Sequence, residues 1–125
     1  MIFMIEKTSV ATMNIDIDRG RIRINKNVLD ALGNPPFIQF LINTEKCKFA
    51  IRGVYKELPN SQTIKITPRE KMRSKHYEFC SLTLINKLLE ALHVKDRTGS
   101  YQMIGKNIFD DGILVFPFDT LKRIS

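Results

Sequence analysis

Three arginines are spaced two residues apart in the stretch DRGRIRIN: Arg19, Arg21 and Arg23. Ile22 and Ile24 occupy alternate positions beside them. Because successive side chains of a β-strand point to opposite faces, burial of the two isoleucines leaves the arginines facing solvent or a partner. A guanidinium group is planar and permanently charged, and its fork of N–H donors fits phosphate oxygens and the edge of guanine. The spacing therefore predicts a nucleic-acid contact, with Arg21 and Arg23 as the candidates for contacting bases.

Other cations extend this prediction, since the chain has 125 residues and a formal net charge of +7. Such a balance suits a polyanionic partner. The additional candidates for phosphate contacts are Lys26 and Lys48, together with Arg69, Lys71, Arg73 and Lys75 of the segment KITPREKMRSKH. The alternative is a solvated surface on which Asp16 and Asp18 partly neutralise the arginines, each exposed pair contributing about 0–1 kcal/mol.

Catalytic groups do not cluster in the sequence. There is no nucleophile beside a base, no phosphate-binding glycine loop and no pair of carboxylates at helical spacing. Asp110 and Asp111 adjoin Gly112 and are interpreted as turn residues. The residues able to bind a metal lack paired zinc spacings and are Cys47, Cys80, His76 and His93. We therefore expect no enzyme, no metal and no other cofactor, and we expect both cysteines to be reduced and half-buried.

Local patterns predict the elements that position the arginines. The stretch SVATMNIDIDRGRIRI alternates on both sides of residues 18–20, which predicts a β-hairpin. Asn25 is placed to cap a helix whose apolar stripe is Val28, Leu29 and Leu32, and Gly33 is placed to end it. A second hairpin is expected to turn at residues 43–46.

The sequence also contains an internal repeat. INKNVLDALG and INKLLEALHV match about sixty residues apart, preceded by RIRI and SLTL and followed by strand–turn–strand patterns at 37–52 and 101–118. This order predicts two β-hairpin–helix–β-hairpin copies, residues 1–60 and 61–125, around one shared core. Residues 63–67 are expected to open the second copy, with Leu82 and Leu84 in a strand and residues 110–112 in a turn. Aromatic residues at core spacing, with base stacking as the alternative role, are Phe37, Phe40, Phe49, Tyr101, Phe116 and Phe118.

The run Gly20-Arg21-Ile22, followed by Ile24, Val28 and Leu32-Gly33, resembles the AbrB-type swapped-hairpin DNA-binding domain of bacterial transition-state regulators. Two copies in one chain are similar to the MraZ regulators, which carry tandem AbrB-like units. The resemblance implies a mostly β fold with short helices (α+β), in which two units interleave their hairpins into a pseudo-symmetric barrel. The chain departs from the family at Asn25, where proline is usual, and at Cys80-Ser81, which take the place of the Gly-Arg pair in the second copy.

We therefore predict a sequence-specific, DNA-binding transcriptional regulator that binds double-stranded DNA in the cytoplasm; association into a homo-oligomer is compatible with this fold. The main alternative is a protein–protein or small-ligand binding module of small β-rich fold with incidental basic charge. An antitoxin is a related alternative, ranked lower because FDTLKRIS is not an acidic tail. No membrane partner is expected, since no apolar run has the length of a membrane helix and MIFMIEKTSV is too short for a signal peptide.

Overall fold

The computed structural model describes residues 10–59, 63–66, 76–108 and 113–124. Its helices are α1 (Lys26–Ala31) and α2 (Leu82–Leu92), and residues Phe118–Thr120 form a 3₁₀ turn. The strands are β1 (Ala11–Asp16), β2 (Arg21–Asn25), β3 (Phe37–Asn43), β4 (Lys48–Val54), β5 (Ile64–Lys65), β6 (His76–Cys80), β7 (Ser100–Ile108), β8 (Ile113–Pro117) and β9 (Lys122–Arg123). The fold is mostly β, in a curled, half-barrel sheet with few short helices, so the prediction of a mostly β fold with short helices is confirmed.

The first hairpin forms as its alternation predicts. Met13, Ile15, Ile22 and Ile24 are fully buried, and Ile15 lies directly opposite Ile22 in the β1–β2 pair. Gly20 has a φ of +64°, a left-handed conformation that glycine adopts without steric cost. The isoleucines therefore fix which face of β2 is outward.

Helix α1 begins and ends at the predicted residues. The Asn25 side chain accepts a hydrogen bond from the Val28 amide at 3.3 Å, which caps the helix. At the other end, Gly33 has a φ of +81°, and the Asn34 amide donates to the Leu29 carbonyl at 2.8 Å. The stripe of Val28, Leu29 and Leu32 is buried, so α1 is held by packing on the sheet.

The prediction of a strand at SLTL is wrong, because helix α2 begins at Leu82. The Ser81 hydroxyl accepts from the Leu84 amide at 3.2 Å and caps this helix. Ile85, Leu88 and Leu89 are buried at helical spacing, and that longer pattern outweighs the two-residue alternation of Leu82 and Leu84. The strand that precedes α2 is β6, which begins at His76, the last residue of the segment KITPREKMRSKH.

Within the described residues, nine strands form one sheet in the order β5-β3-β4-β8-β7-β1-β2-β6, with β9 on β7. All pairs are antiparallel, and four of them join the first half of the chain to the second: β1–β7, β2–β6, β3–β5 and β4–β8. Buried residues from both halves belong to one hydrophobic cluster, including Met13, Phe49, Leu88, Met103 and Phe116. The strands of the two halves are thus interleaved around a common interior.

The remaining local predictions had mixed outcomes. Phe49 and Phe116 are fully buried and Tyr101 is nearly so, Phe40 and Phe118 pack partly buried on the cluster, and Phe37 is half-buried. Cys47 and Cys80 are exposed, so the prediction of half-buried cysteines is wrong. Strand β5 is shorter than the predicted strand at 63–67, and the turn predicted at 110–112 lies outside the described residues. No helix in the described part of the chain combines the length and apolar character that crossing a membrane requires.

Candidate nucleic-acid interface

Strand β2 carries two of the three arginines on its outer face. It lies between β1 and β6, and its half-buried positions alternate with the buried isoleucines. The side chains of Arg21 and Arg23 each retain 42% of their accessible surface. Because both are on one strand whose backbone is paired on both sides, their Cα atoms are held about 7 Å apart along the strand.

Glu78 of β6 lies between the two guanidinium groups. It is opposite Arg23 in the β2–β6 register. Arg23 Nε donates to Glu78 Oε2 at 2.8 Å, and Arg23 Nη2 bonds the same oxygen. Arg21 Nη1 lies 3.4 Å from Glu78 Oε1. One carboxylate thus serves two arginines, and this trio (Arg21, Arg23 and Glu78, called here the arginine–glutamate trio) carries one excess positive charge.

Of the two aspartates expected to neutralise the arginines, Asp16 contacts Arg19, whereas Asp18 has a different partner. Asp16 Oδ2 lies 3.7 Å from Arg19 Nη1, and Asp16 Oδ1 accepts from the Arg19 amide at 3.3 Å. Asp18 Oδ1 accepts from the Gly99 amide at 3.1 Å. These carboxylates shape the β1–β2 turn, while the Arg19 side chain remains 68% exposed. The counter-charge of Arg21 and Arg23 is supplied by Glu78, which is 55 residues from Arg23 in the chain.

The β1–β2 turn is joined to the loop that precedes β7. The Ile17 amide donates to the Gly99 carbonyl at 2.9 Å, in addition to the bond between Asp18 and Gly99. This loop contains the exposed cations Lys95 and Arg97, which sequence reasoning did not assign to the site. No local signal marks them, because their proximity to the turn follows from the long-range pairing of β1 with β7.

A row of polar side chains crosses the outer face of four strands. Register places Arg23 opposite Asn14, Asn14 opposite Gln102, and Gln102 opposite Lys122. Gln102 Nε2 donates to Asn14 Oδ1 at 3.1 Å. With about 4.8 Å between neighbouring strands, the row from Arg23 to Lys122 spans about 14 Å, close to the roughly 12 Å width of the DNA major groove. The row offers hydrogen-bond donors and acceptors next to the arginine–glutamate trio.

An ion pair fastens β9 to the same end of the sheet. Arg123 Nη1 bonds Asp96 Oδ2, and the Arg123 guanidinium lies 5.6 Å from the centre of the Tyr101 ring. The Thr98 hydroxyl, 2.6 Å from Asp96 Oδ1, and the Arg123 bond lower the pKa of Asp96. The same ion pair raises the pKa of Arg123, chiefly through its hydrogen bond to Asp96. These contacts hold the loop of Lys95 and Arg97 in place.

The other predicted site residues do not all join this surface. Lys26 is exposed at the start of α1, at the end of β2 remote from the turn. Lys48 is in β4, separated from β2 by β8, β7 and β1, so the structure does not bring it to the arginines. It shares the outer face of a different part of the sheet with Arg52 and Lys106. The predicted phosphate contacts at Arg69, Lys71, Arg73 and Lys75 lie outside the described residues.

Comparison with known proteins identifies no relative of this chain. The chain matches no family model, and no curated protein or solved structure is significantly similar to it.

Proposed function

We propose that this chain is a sequence-specific DNA-binding regulator that contacts double-stranded DNA through the outer face of β1, β2 and β7. The observation that carries the proposal is the arginine–glutamate trio, in which two half-exposed guanidinium groups on one strand share a single carboxylate. Arg19, Lys95, Arg97 and Lys122 extend the cationic surface around it.

The ion pairs within the trio are compatible with this function. Glu78 keeps 36% of its side-chain surface exposed, so solvent screens the pairs. Exposed ion pairs of this kind contribute about 0–1 kcal/mol, which makes them weak enough to be exchanged for contacts with DNA. A guanidinium bound to a phosphate or to guanine forms a bidentate, charge-assisted contact of the type that arginine already makes with carboxylate.

The neighbouring groups supply complementary chemistry. Asn14 and Gln102 carry amides, which can pair with adenine, while arginine pairs with guanine. Cations at the β1–β2 turn and in the loop before β7 are suited to phosphate, which fixes position without selecting sequence. This division assigns base contacts to Arg21 and Arg23 and phosphate contacts to Arg19, Lys95 and Arg97.

The strand order supports a tandem, AbrB-like origin for the fold. Both halves run strand, strand, helix, strand, strand, which makes β1 to β4 equivalent to β5 to β8. Under that equivalence, β1–β7 corresponds to β5–β3, while β2–β6 and β4–β8 each join equivalent strands. Exchange of the two halves therefore maps these four pairs onto one another, as expected for two interleaved copies. We therefore interpret the chain as two interleaved copies, the second of which has Glu78 facing the arginines of the first.

Removal of two arginines tests the function. We expect Arg21→Ala/Arg23→Ala to weaken binding of a duplex at 50 mM salt by at least about tenfold, because the change removes both proposed base contacts. The matched control is Arg52→Ala/Lys106→Ala, which removes the same charge from the face around β4. Fluorescence anisotropy measures the affinity, and thermal unfolding verifies the fold. Equal losses in both variants, or no loss in the first, would contradict the proposal.

A protein-binding role has one specific observation in its favour. The β3–β4 hairpin borders an open groove of about 580 Å³ lined by Leu41, Ile42, Lys48 and Ala50 among others. Leu41 and Ile42 are exposed at 39% and 36%, and exposed apolar patches mark interaction sites when they are extensive. Unchanged DNA affinity in the double arginine variant would favour this alternative.

A further inference from the structure

Glu78 occupies one of the two edges of the Arg23 guanidinium that a DNA ligand could use. Both Nε and Nη2 of Arg23 are directed at Glu78 Oε2. This is one of the two edges through which a guanidinium binds two oxygens of a phosphate or the O6 and N7 atoms of guanine. Arg21 approaches the other carboxylate oxygen at 3.4 Å. A phosphate that binds these guanidinium edges must therefore displace the Glu78 carboxylate or lie close to its negative charge.

We propose that Glu78 is a specificity-determining residue, which competes with phosphate for Arg21 and Arg23 and so lowers the affinity for DNA of arbitrary sequence. The inference rests on the proposed DNA-binding function and adds a selective element to it. Glu78 is held opposite Arg23 by the β2–β6 backbone pairing, which keeps its carboxylate within reach of both guanidinium groups. A ligand that offers phosphates alone gains little from exchanging one anion for another.

DNA that also contacts the neighbouring row of polar side chains gains more binding free energy. A target with suitable bases can bond Asn14, Gln102 and the arginines together, while Glu78 itself can accept a hydrogen bond from cytosine N4. Discrimination by a repulsive group against the wrong ligand is a general route to specificity. The carboxylate therefore penalises backbone binding more than it penalises a matched site.

Charge neutralisation of Glu78 tests this inference on a mixed-sequence duplex. We expect Glu78→Gln to raise affinity at 50 mM salt by about tenfold and to steepen the salt slope by about 1, because the freed guanidinium groups engage phosphate. The control, Glu57→Gln, removes one negative charge from an exposed position after β4. We expect it to change affinity by no more than about twofold, since remote surface charges are screened by salt. Glu78→Asp, which keeps the charge, should remain closer to the unmodified protein than Glu78→Gln does.

A second comparison separates competition from a purely structural role. In the Arg21→Ala/Arg23→Ala background, Glu78→Gln should raise DNA affinity no more than Glu57→Gln does. The two guanidinium groups for which Glu78 and phosphate compete are then absent. If the unmodified protein binds DNA but the affinity of Glu78→Gln is no higher than that of Glu57→Gln, this inference alone is overturned. Absence of DNA binding in both the unmodified protein and Glu78→Gln would overturn the proposed function together with the inference.

Discussion

Arg21 and Arg23 owe their outward orientation to Ile22 and Ile24, which are fully buried on the opposite face of β2. That orientation can be predicted from sequence, because alternation in a strand is a local property. The partner of the two arginines cannot be predicted in the same way. Glu78 reaches them through the pairing of β2 with β6, and nothing in the residues near Glu78 indicates which strand it will face.

Asn25 similarly combines one contact predictable from sequence with others that are not. Its Oδ1 caps α1, and the same atom accepts from the Thr12 amide at 3.1 Å. Its Nδ2 donates to the Val10 carbonyl at 2.7 Å. The side chain therefore ties the start of β1 to the start of the helix, a role that a proline at this position would not supply.

We expect Asn25→Ala to lower the free energy of unfolding by about 2 kcal/mol, since it removes a helix cap and leaves the Thr12 amide without this acceptor. Asn27→Ala is the control, because Asn27 bonds the same Val10 carbonyl at 3.0 Å without capping. It should cost less than about 1 kcal/mol. Urea denaturation measures both. Equal destabilisation by the two variants would contradict the role assigned to the Asn25 cap.

At the scale of elements, a helix or strand can be predicted from sequence where its hydrophobic pattern is long or where turn and capping residues mark its ends. The β1–β2 hairpin and α1 were predicted because Gly20, Asn25 and Gly33 mark their boundaries. In the second copy, SLTL was wrongly matched to the strand RIRI. Leu82 and Leu84 alternate as strand residues do, but they also fit the helix that contains Ile85. Its true strand, β6, lacks the clear alternation of aliphatic residues that identified β2.

The anchoring of β9 should depend on pH through Asp96. Its pKa is lowered by the Thr98 hydroxyl and by Arg123, so the stability it contributes is present above the ordinary aspartate pKa of about 3.9. That contribution is lost as the pH falls through the lower pKa of the folded state. We expect Asp96→Asn to lower the melting temperature at pH 7, and we expect its difference from the unmodified protein to shrink towards pH 3.

Asp119→Asn is the control for that pH series, because Asp119 is an exposed carboxylate in the 3₁₀ turn. It should leave the melting temperature nearly unchanged at pH 7. A difference between Asp96→Asn and the unmodified protein that grows as the pH falls would show that the sign of this linkage is wrong.

At the scale of the whole molecule, the sheet distributes cations onto separate surfaces. Lys48 is predicted to add a phosphate contact to those of the arginines, but β8, β7 and β1 lie between its strand and β2. Strand order is set by pairings between distant segments, which the sequence repeat indicates only if the copies are aligned correctly. The same long-range pairing added Lys95 and Arg97 to the site without any local signal.

The interleaved order predicts that the first half cannot fold alone as a monomer. Within residues 1–59, β1, β2 and β4 would lose their partners β7, β6 and β8. This loss would expose buried residues such as Met13, Ile22 and Phe49. We expect this fragment to be unfolded or to dimerise, as judged by circular dichroism and sedimentation. A monomeric fragment with cooperative thermal unfolding would contradict the interleaved, two-copy interpretation.

The most direct test of the proposed DNA-binding surface is a map of backbone amide chemical shifts during titration with a short duplex at low salt. The largest changes should occur in β2, in the β1–β2 turn and in the loop containing Lys95 and Arg97, with small changes in the β3–β4 hairpin. No changes with excess duplex, or changes concentrated at residues 41–50, would contradict DNA binding through this surface.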